Sequence, residues 1–182
     1  MFKKVFLFLV FTSCVLRPLL VSATPYLGID WGTPKGEVVG EIIRDDKITV
    51  ISDLYVRKPM PIFESYIGHT TNDDGLFAVI AWSKYISDDH DGKKGKAKFF
   101  ETIREMEKLG FKKKQSLIKN SGATEFYSCL NKSYEKPCSF YIWIGYDKNR
   151  DTISVSLESF LDNRGYVSTQ FIRKGYYING KH

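Results

Sequence analysis

Phe140-Tyr141-Ile142-Trp143-Ile144-Gly145-Tyr146, followed by Asp147-Lys148-Asn149-Arg150-Asp151 and then Thr152-Ile153-Ser154-Val155-Ser156-Leu157-Glu158-Ser159-Phe160, is the stretch that decides the fold. In its last run Ile153, Val155 and Leu157 alternate with Ser154, Ser156 and Glu158, the period of two that sends successive side chains to opposite faces of a strand. Such a strand keeps one face on a core and the other on water, which is the pattern of an antiparallel sheet. The polar residues 147–151 read as the tight turn of a hairpin.

Working outward, residues 76–86 are apolar on both faces, with Leu76, Ala78, Ile80 and Trp82 opposite Phe77, Val79 and Ala81. A central, doubly covered strand fits best, and a buried helix is the other reading of so short an apolar run. Period-two alternation also marks residues 47–56, where Ile48, Val50, Leu54 and Val56 share a face. Residues 62–67, 124–130 and 166–172 are further strand candidates, and 69–75 reads as a loop from its Thr, Asn, Asp and Gly content. Two helices are predicted. One covers about 34–44, opened by Thr33 as a cap and Pro34 at the first helical position, with Val38/Ile42 and Val39/Ile43 as i,i+4 pairs. The other covers about 96–109, with Phe99, Ile103 and Met106 on one face and Gly110 as its stop. Helix, strands, helix, strands is not the strict alternation of a parallel sheet. The expected class is α+β with a mostly antiparallel sheet, and the order has room for a degenerate helix-plus-strands repeat.

The 182 residues carry 27 Lys+Arg against 21 Asp+Glu, a net charge of +6, and 26% charged with 15% aromatic residues excludes a disordered or collagen-like chain. Much of the basicity sits at the start. Residues 1–23 hold Lys3, Lys4, a short apolar run and Val21-Ser22-Ala23, with no acidic residue, which is the grammar of a secretory signal cleaved after Ala23. The run is too short, and too interrupted by Arg17-Pro18, to span a membrane. A second reading is a lipid anchor through Cys14. Cleavage leaves residues 24–182 as a single α+β domain with 24 basic and 21 acidic residues, so its charge falls to +3. That small surplus argues against a nucleic-acid partner.

The cleaved chain keeps Cys129 and Cys138, an even pair suited to an oxidising compartment. On facing ends of two adjacent strands their Cα atoms would fall within the roughly 4.4–6.8 Å a disulfide needs. A zinc pair lacks further Cys or His at ligand spacing. The loop so closed contains Lys132, Tyr134 and Lys136, candidate binding residues on a tethered tip. From Cys129 to about Leu157, including Lys136-Pro137-Cys138 and Trp143, the chain resembles the periplasmic inhibitors of vertebrate-type lysozyme. In that family a disulfide-closed loop before a Trp-containing strand enters the enzyme cleft. Here the loop lacks a histidine and the cysteines stand further apart.

Asp88-Asp89-His90-Asp91-Gly92 concentrates oxygen ligands, yet aligning Gly92 as the sixth residue of a calcium loop puts Ser87 first and Lys98 last, so both anchors fail. No metal or other cofactor is expected. Glu64, His69 and Asp73 are the candidate acid–base group of a small hydrolase, but no nucleophile elbow surrounds Ser65 and no phosphate or dinucleotide loop is present. Lys112-Lys113-Lys114, with Lys108 and Lys119, forms a basic cluster read as a solvated face. The sequence thus favours an exported bacterial domain, periplasmic or secreted, that binds a protein or envelope component without catalysis. An inhibitor of a hydrolase such as lysozyme and a small hydrolase using the His69 region are the alternatives.

Overall fold

The computed structural model describes residues 23–24, 26–37, 40–46, 49–120, 126–131, 139–160 and 164–176. A short ribbon of β1 (Ala23–Thr24) and β2 (Ile29–Asp30) precedes strands β3 (Ile42–Asp46), β4 (Thr49–Asp53), β5 (Ser65–Thr71) and β6 (Gly75–Trp82). Helix α1 (Lys93–Lys108), strand β7 (Lys112–Lys119) and helix α2 (Phe126–Asn131) follow, then β8 (Phe140–Tyr146), β9 (Thr152–Phe160) and β10 (Arg164–Ile172). The class is α+β, with eight strands in one antiparallel sheet in the order β3-β4-β5-β6-β10-β9-β8-β7. That order is two four-strand meanders, one from each half of the chain, joined where their last strands β6 and β10 pair antiparallel.

Cross-strand register sorts the residues by face. Trp143, Val155, Thr169, Ala81 and Tyr66 stand in one row across five strands, and all are buried. One position along, Ile142, Ser156, Ser168, Trp82 and Ser65 form the row on the opposite face. Over β8, β9 and β10 the buried face is covered by α1 and α2, whose Phe99, Ile103, Met106, Phe126 and Tyr127 join Val155, Leu157 and Val167 in one core. Over β4, β5 and β6 the same face is covered by irregular chain instead, through Leu27, Trp31, Leu54 and Phe63.

Three buried carboxylates tie these covers down. Asp89 accepts the backbone N–H groups of Lys94 (2.9 Å) and Gly95 (2.8 Å) and the Tyr127 hydroxyl (2.7 Å). It thereby satisfies free N–H groups at the start of α1 and clamps α2 to it. The Tyr127 ring lies where a Cβ on Gly165 would stand, so only glycine at that point of β10 admits it. Asp151 accepts the Trp31 indole N–H (2.7 Å) and the Lys174 N–H (2.9 Å), and Asp147 accepts the N–H groups of Asn149 (2.8 Å) and Asp151 (2.9 Å). The β8–β9 turn therefore anchors the segment that carries β2.

Several expectations need correction. Residues 34–44 are not a helix: a 3-10 turn occupies Lys35–Glu37 and β3 begins at Ile42. Gly40 takes φ +152° and packs so closely on Asp53 that a Cβ there would overlap its carbonyl, while Ile42 and Ile43 are about half exposed, so the apolar spacing serves no buried helix face. Residues 69–71 belong to β5, since pairing with β4 and β6 holds His69, Thr70 and Thr71 extended. The 124–130 strand is replaced by α2, held by the Tyr127–Asp89 bond and by Phe126 N–H donating to the His90 carbonyl at 3.3 Å. Cys129 thus stands on a helix, not on one arm of a hairpin. Helix α1 begins three residues before the expected 96 because Asp89 caps it there. The central placement of β6 and the strands at 140–146 and 152–160 agree with expectation.

Candidate binding groove

Three adjoining hollows run past the start of β5: two lie beside the loops after β2 and β4, and the third opens on the opposite face of the sheet, where β5 and β6 meet the ends of β9 and β10. The first, about 180 Å³, lies between the β2 segment and the chain after β4, lined by Asp30, Glu37, Tyr55 and Arg57 among others. Tyr55 also lines the second, about 410 Å³, with Asp53, Pro59, Glu64 and Tyr66. Glu64 and Ser65 continue into the third, about 250 Å³, whose walls are Trp82, Ser83, Tyr85, Phe160 and Tyr166.

The walls are fixed by backbone bonds. Glu64 N–H donates to the Trp82 carbonyl (2.8 Å), so the end of β5 registers on β6. Beyond β6, Ser83 N–H donates to the Val167 carbonyl (2.9 Å), and Ile86 and Gly165 exchange two bonds of 2.7 and 3.1 Å. Val167 N–H donates to the Ser83 hydroxyl oxygen (2.9 Å). These bonds hold Tyr85 beside β10 although its side chain is 54% exposed. Its ring centroid lies 4.8 Å from Phe160 and 5.8 Å from Tyr166, the latter edge to face. On the other side of Glu64, the Tyr66 hydroxyl accepts Met60 N–H at 2.8 Å and fixes the 57–63 loop.

Burial raises the Tyr166 hydroxyl pKa, and the charge of Glu158 and then Tyr85 raise it further; burial likewise raises Tyr66, against a smaller lowering by the Met60 backbone bond. Both hydroxyls stay neutral at ordinary pH. The groove offers aromatic faces, neutral hydroxyls and carboxylates, an arrangement for holding a ligand.

The residues singled out from sequence fall elsewhere. Glu64 immediately precedes β5 and His69 is its fifth residue, about 16 Å further along the strand. His69 is buried to 8% exposure beside Phe77 (6.1 Å between rings), and burial lowers its pKa, so it is a neutral sheet residue. The structure does not bring Glu64 to His69. Asp73 lies in the β5–β6 turn. Among the described residues no group of three or more His, Cys, Asp or Glu is arranged to hold a metal. In the acidic run, Asp89 is the α1 cap and Asp91 pairs with Lys93 at 2.7 Å, which lowers the pKa of the exposed Asp91. Lys132, Tyr134, Lys136 and Cys138 lie outside the described residues, as do residues 1–22. Cys129 is buried, and Ser139 N–H approaches its Sγ at 3.2 Å. Lys112, Lys113 and Lys114 lie exposed on the edge strand β7.

Sequence reasoning missed Trp82, Tyr85, Phe160 and Tyr166 as a group. Each reads locally as a strand or strand-end residue, and only the β6–β10 and β9–β10 pairings together bring the four into one place. The available signal was three bulky aromatics placed just at the ends of strand patterns, where packing alone does not ask for them.

Comparison of the chain with protein-family models, curated proteins and solved structures finds no match.

Proposed function

We propose that this chain is an exported bacterial binding domain, non-catalytic, working in the periplasm or outside the cell and taking its ligand in the aromatic groove between β5, β6 and β10. The observation that carries the reading is the convergence of Trp82, Tyr85, Phe160 and Tyr166 on a hollow of about 250 Å³ with Glu64 at its mouth. Aromatic side chains left partly exposed and held rigid are the surfaces from which binding energy is most readily drawn, since they lose little conformational freedom. Export is supported by the signal-like residues 1–23, and among the described residues no helix is long and apolar enough to cross a membrane. The separation of Glu64 from His69 favours binding over hydrolysis.

A Cys129–Cys138 bridge belongs to the same proposal. Its support is that Ser139, the next residue after Cys138, has its N–H on the Cys129 sulfur. The bridge would close the loop of Lys132, Tyr134 and Lys136 as a second contact with the partner.

Envelope extract passed over the immobilised chain tests the reading. Material retained by the native chain but lost from a Trp82→Ala/Tyr85→Ala variant with an unchanged circular dichroism spectrum supports it. Equal retention by both contradicts it. Export is checked separately, by finding a chain that starts near Thr24 in periplasmic or medium fractions; full-length chain confined to the cytosol contradicts it.

A further inference from the structure

The three hollows differ in charge from the molecule that carries them. Basic residues outnumber acidic ones 24 to 21 over residues 24–182, yet among the described residues the hollows are lined by Asp30, Glu37, Asp53 and Glu64 against the cation Arg57. Among the described residues, the two hollows around Glu64 have no Lys or Arg in their linings. Those are also the hollows walled by Tyr55, Tyr66, Trp82 and Tyr85. Aromatic faces carry negative charge density that attracts ammonium and guanidinium groups, and carboxylates at the same place complete a site for them. A neutral sugar would stack on the rings and donate its hydroxyls to the carboxylates, but would leave their charge uncompensated. An anion would be repelled by them.

We propose that the groove binds a basic, extended segment of a partner polypeptide, seating one Lys or Arg side chain against Glu64 between Tyr85 and Trp82 and continuing past Asp53 toward Tyr55. This rests on the reading of the groove as the binding site and names the ligand class. Extension follows from the shape: three shallow hollows in a row share lining residues at each junction, which suits a chain laid along them better than a single compact group. Exposed carboxylates elsewhere, such as Asp45, Asp91, Glu101 and Glu105, are paired with Lys35, Lys93, Lys98 and Lys108, so the groove is where a basic segment meets carboxylates together with aromatic faces.

The test titrates the full chain, 15N-labelled, with capped hexa-arginine and follows the indole N–H signals of Trp31, Trp82 and Trp143. The expected result is a shift of Trp82 alone, with affinity weakened about fivefold in Glu64→Gln and about fivefold in Tyr85→Ala, as loss of one ion pair or one cation–aromatic contact implies. The same affinity should fall as salt rises. Capped hexaglutamate, spermidine and neutral chitotriose are the comparison probes. Chitotriose moving Trp82 while hexa-arginine does not overturns the cationic class and leaves the groove a binding site. Spermidine binding as tightly as hexa-arginine overturns the polypeptide source. A Trp82 shift undiminished in both variants overturns the assigned contacts. No response of Trp82 to any probe overturns both the inference and the groove itself.

Discussion

The two halves of the sheet are built alike and covered differently. Each is a four-strand antiparallel meander, and they meet at β6 and β10. Over the second half lie α1 and α2, whose Phe99, Ile103, Met106, Phe126 and Tyr127 pack into the core against β8, β9 and β10. Over the first half lie the 26–33 and 54–64 segments, which pin a few large side chains into the core and leave hollows between them. A helix presents a continuous ridge that fills the space above strands, whereas irregular chain satisfies its own backbone in turns and covers a sheet only at points. The helices fill the face they cover, and a ligand finds room beside the loops of the first half and on the uncovered face where the two halves join.

Breaking the helix-covered half should cost most. Tyr127→Ala removes a fully buried ring and should lower stability by about 3–5 kcal/mol in urea unfolding. Asp89→Asn keeps the shape but weakens three hydrogen bonds to a buried carboxylate, at about 1–3 kcal/mol. By contrast Tyr85→Ala, which removes a half-exposed ring touching Phe160 and Tyr166, should lower stability by no more than about 1 kcal/mol. A larger loss there would mean that the groove rings hold the fold together and would erase the distinction between the halves.

Titration sharpens the same contrast. Burial lowers the His69 pKa below its ordinary value near about 6.5, so the unfolded chain binds the proton first. Stability from this group is present above about pH 6.5 and is lost as pH falls through the lowered folded value. The urea midpoint should therefore drop on acidification, and His69→Gln should flatten that dependence. At the other end, burial first, then the Asp147 and Asp151 carboxylates, push the Tyr26 hydroxyl up to about 12. Its contribution is complete below about pH 10 and is lost as pH rises from there to about 12, and Tyr26→Phe should lessen that alkaline loss. Last and smallest, reaction with a thiol reagent tests the proposed bridge: the chain lacking residues 1–23 should incorporate none until reduced.

The alternation of residues 152–160 was readable because each position is decided by one face of one sheet. The doubly apolar run that became β6 was readable for the same reason. Residues 34–44 misled because Val and Ile spaced at i,i+4 fit a helix face as well as a strand, and the deciding fact, Gly40 packed against Asp53, is a tertiary contact. Phe126–Asn131 misled in the opposite direction. Its aromatic and β-prone start is bent into a helix by Asp89, 38 positions away from Tyr127. Of the groove, Glu64 and Ser65 attracted notice for an acid–base role. Their actual neighbours, Trp82 and Tyr85 from one strand end and Phe160 and Tyr166 from two others, meet only through sheet order, which no local pattern carries.

The most direct test of this division is the affinity for capped hexa-arginine measured in Tyr85→Ala and in Tyr127→Phe beside the native chain. Tyr85→Ala should bind about fivefold more weakly while losing no more than about 1 kcal/mol of stability, and Tyr127→Phe should bind as the native chain does while unfolding at lower urea. Equal weakening of binding in both variants, or native binding by Tyr85→Ala, would contradict it.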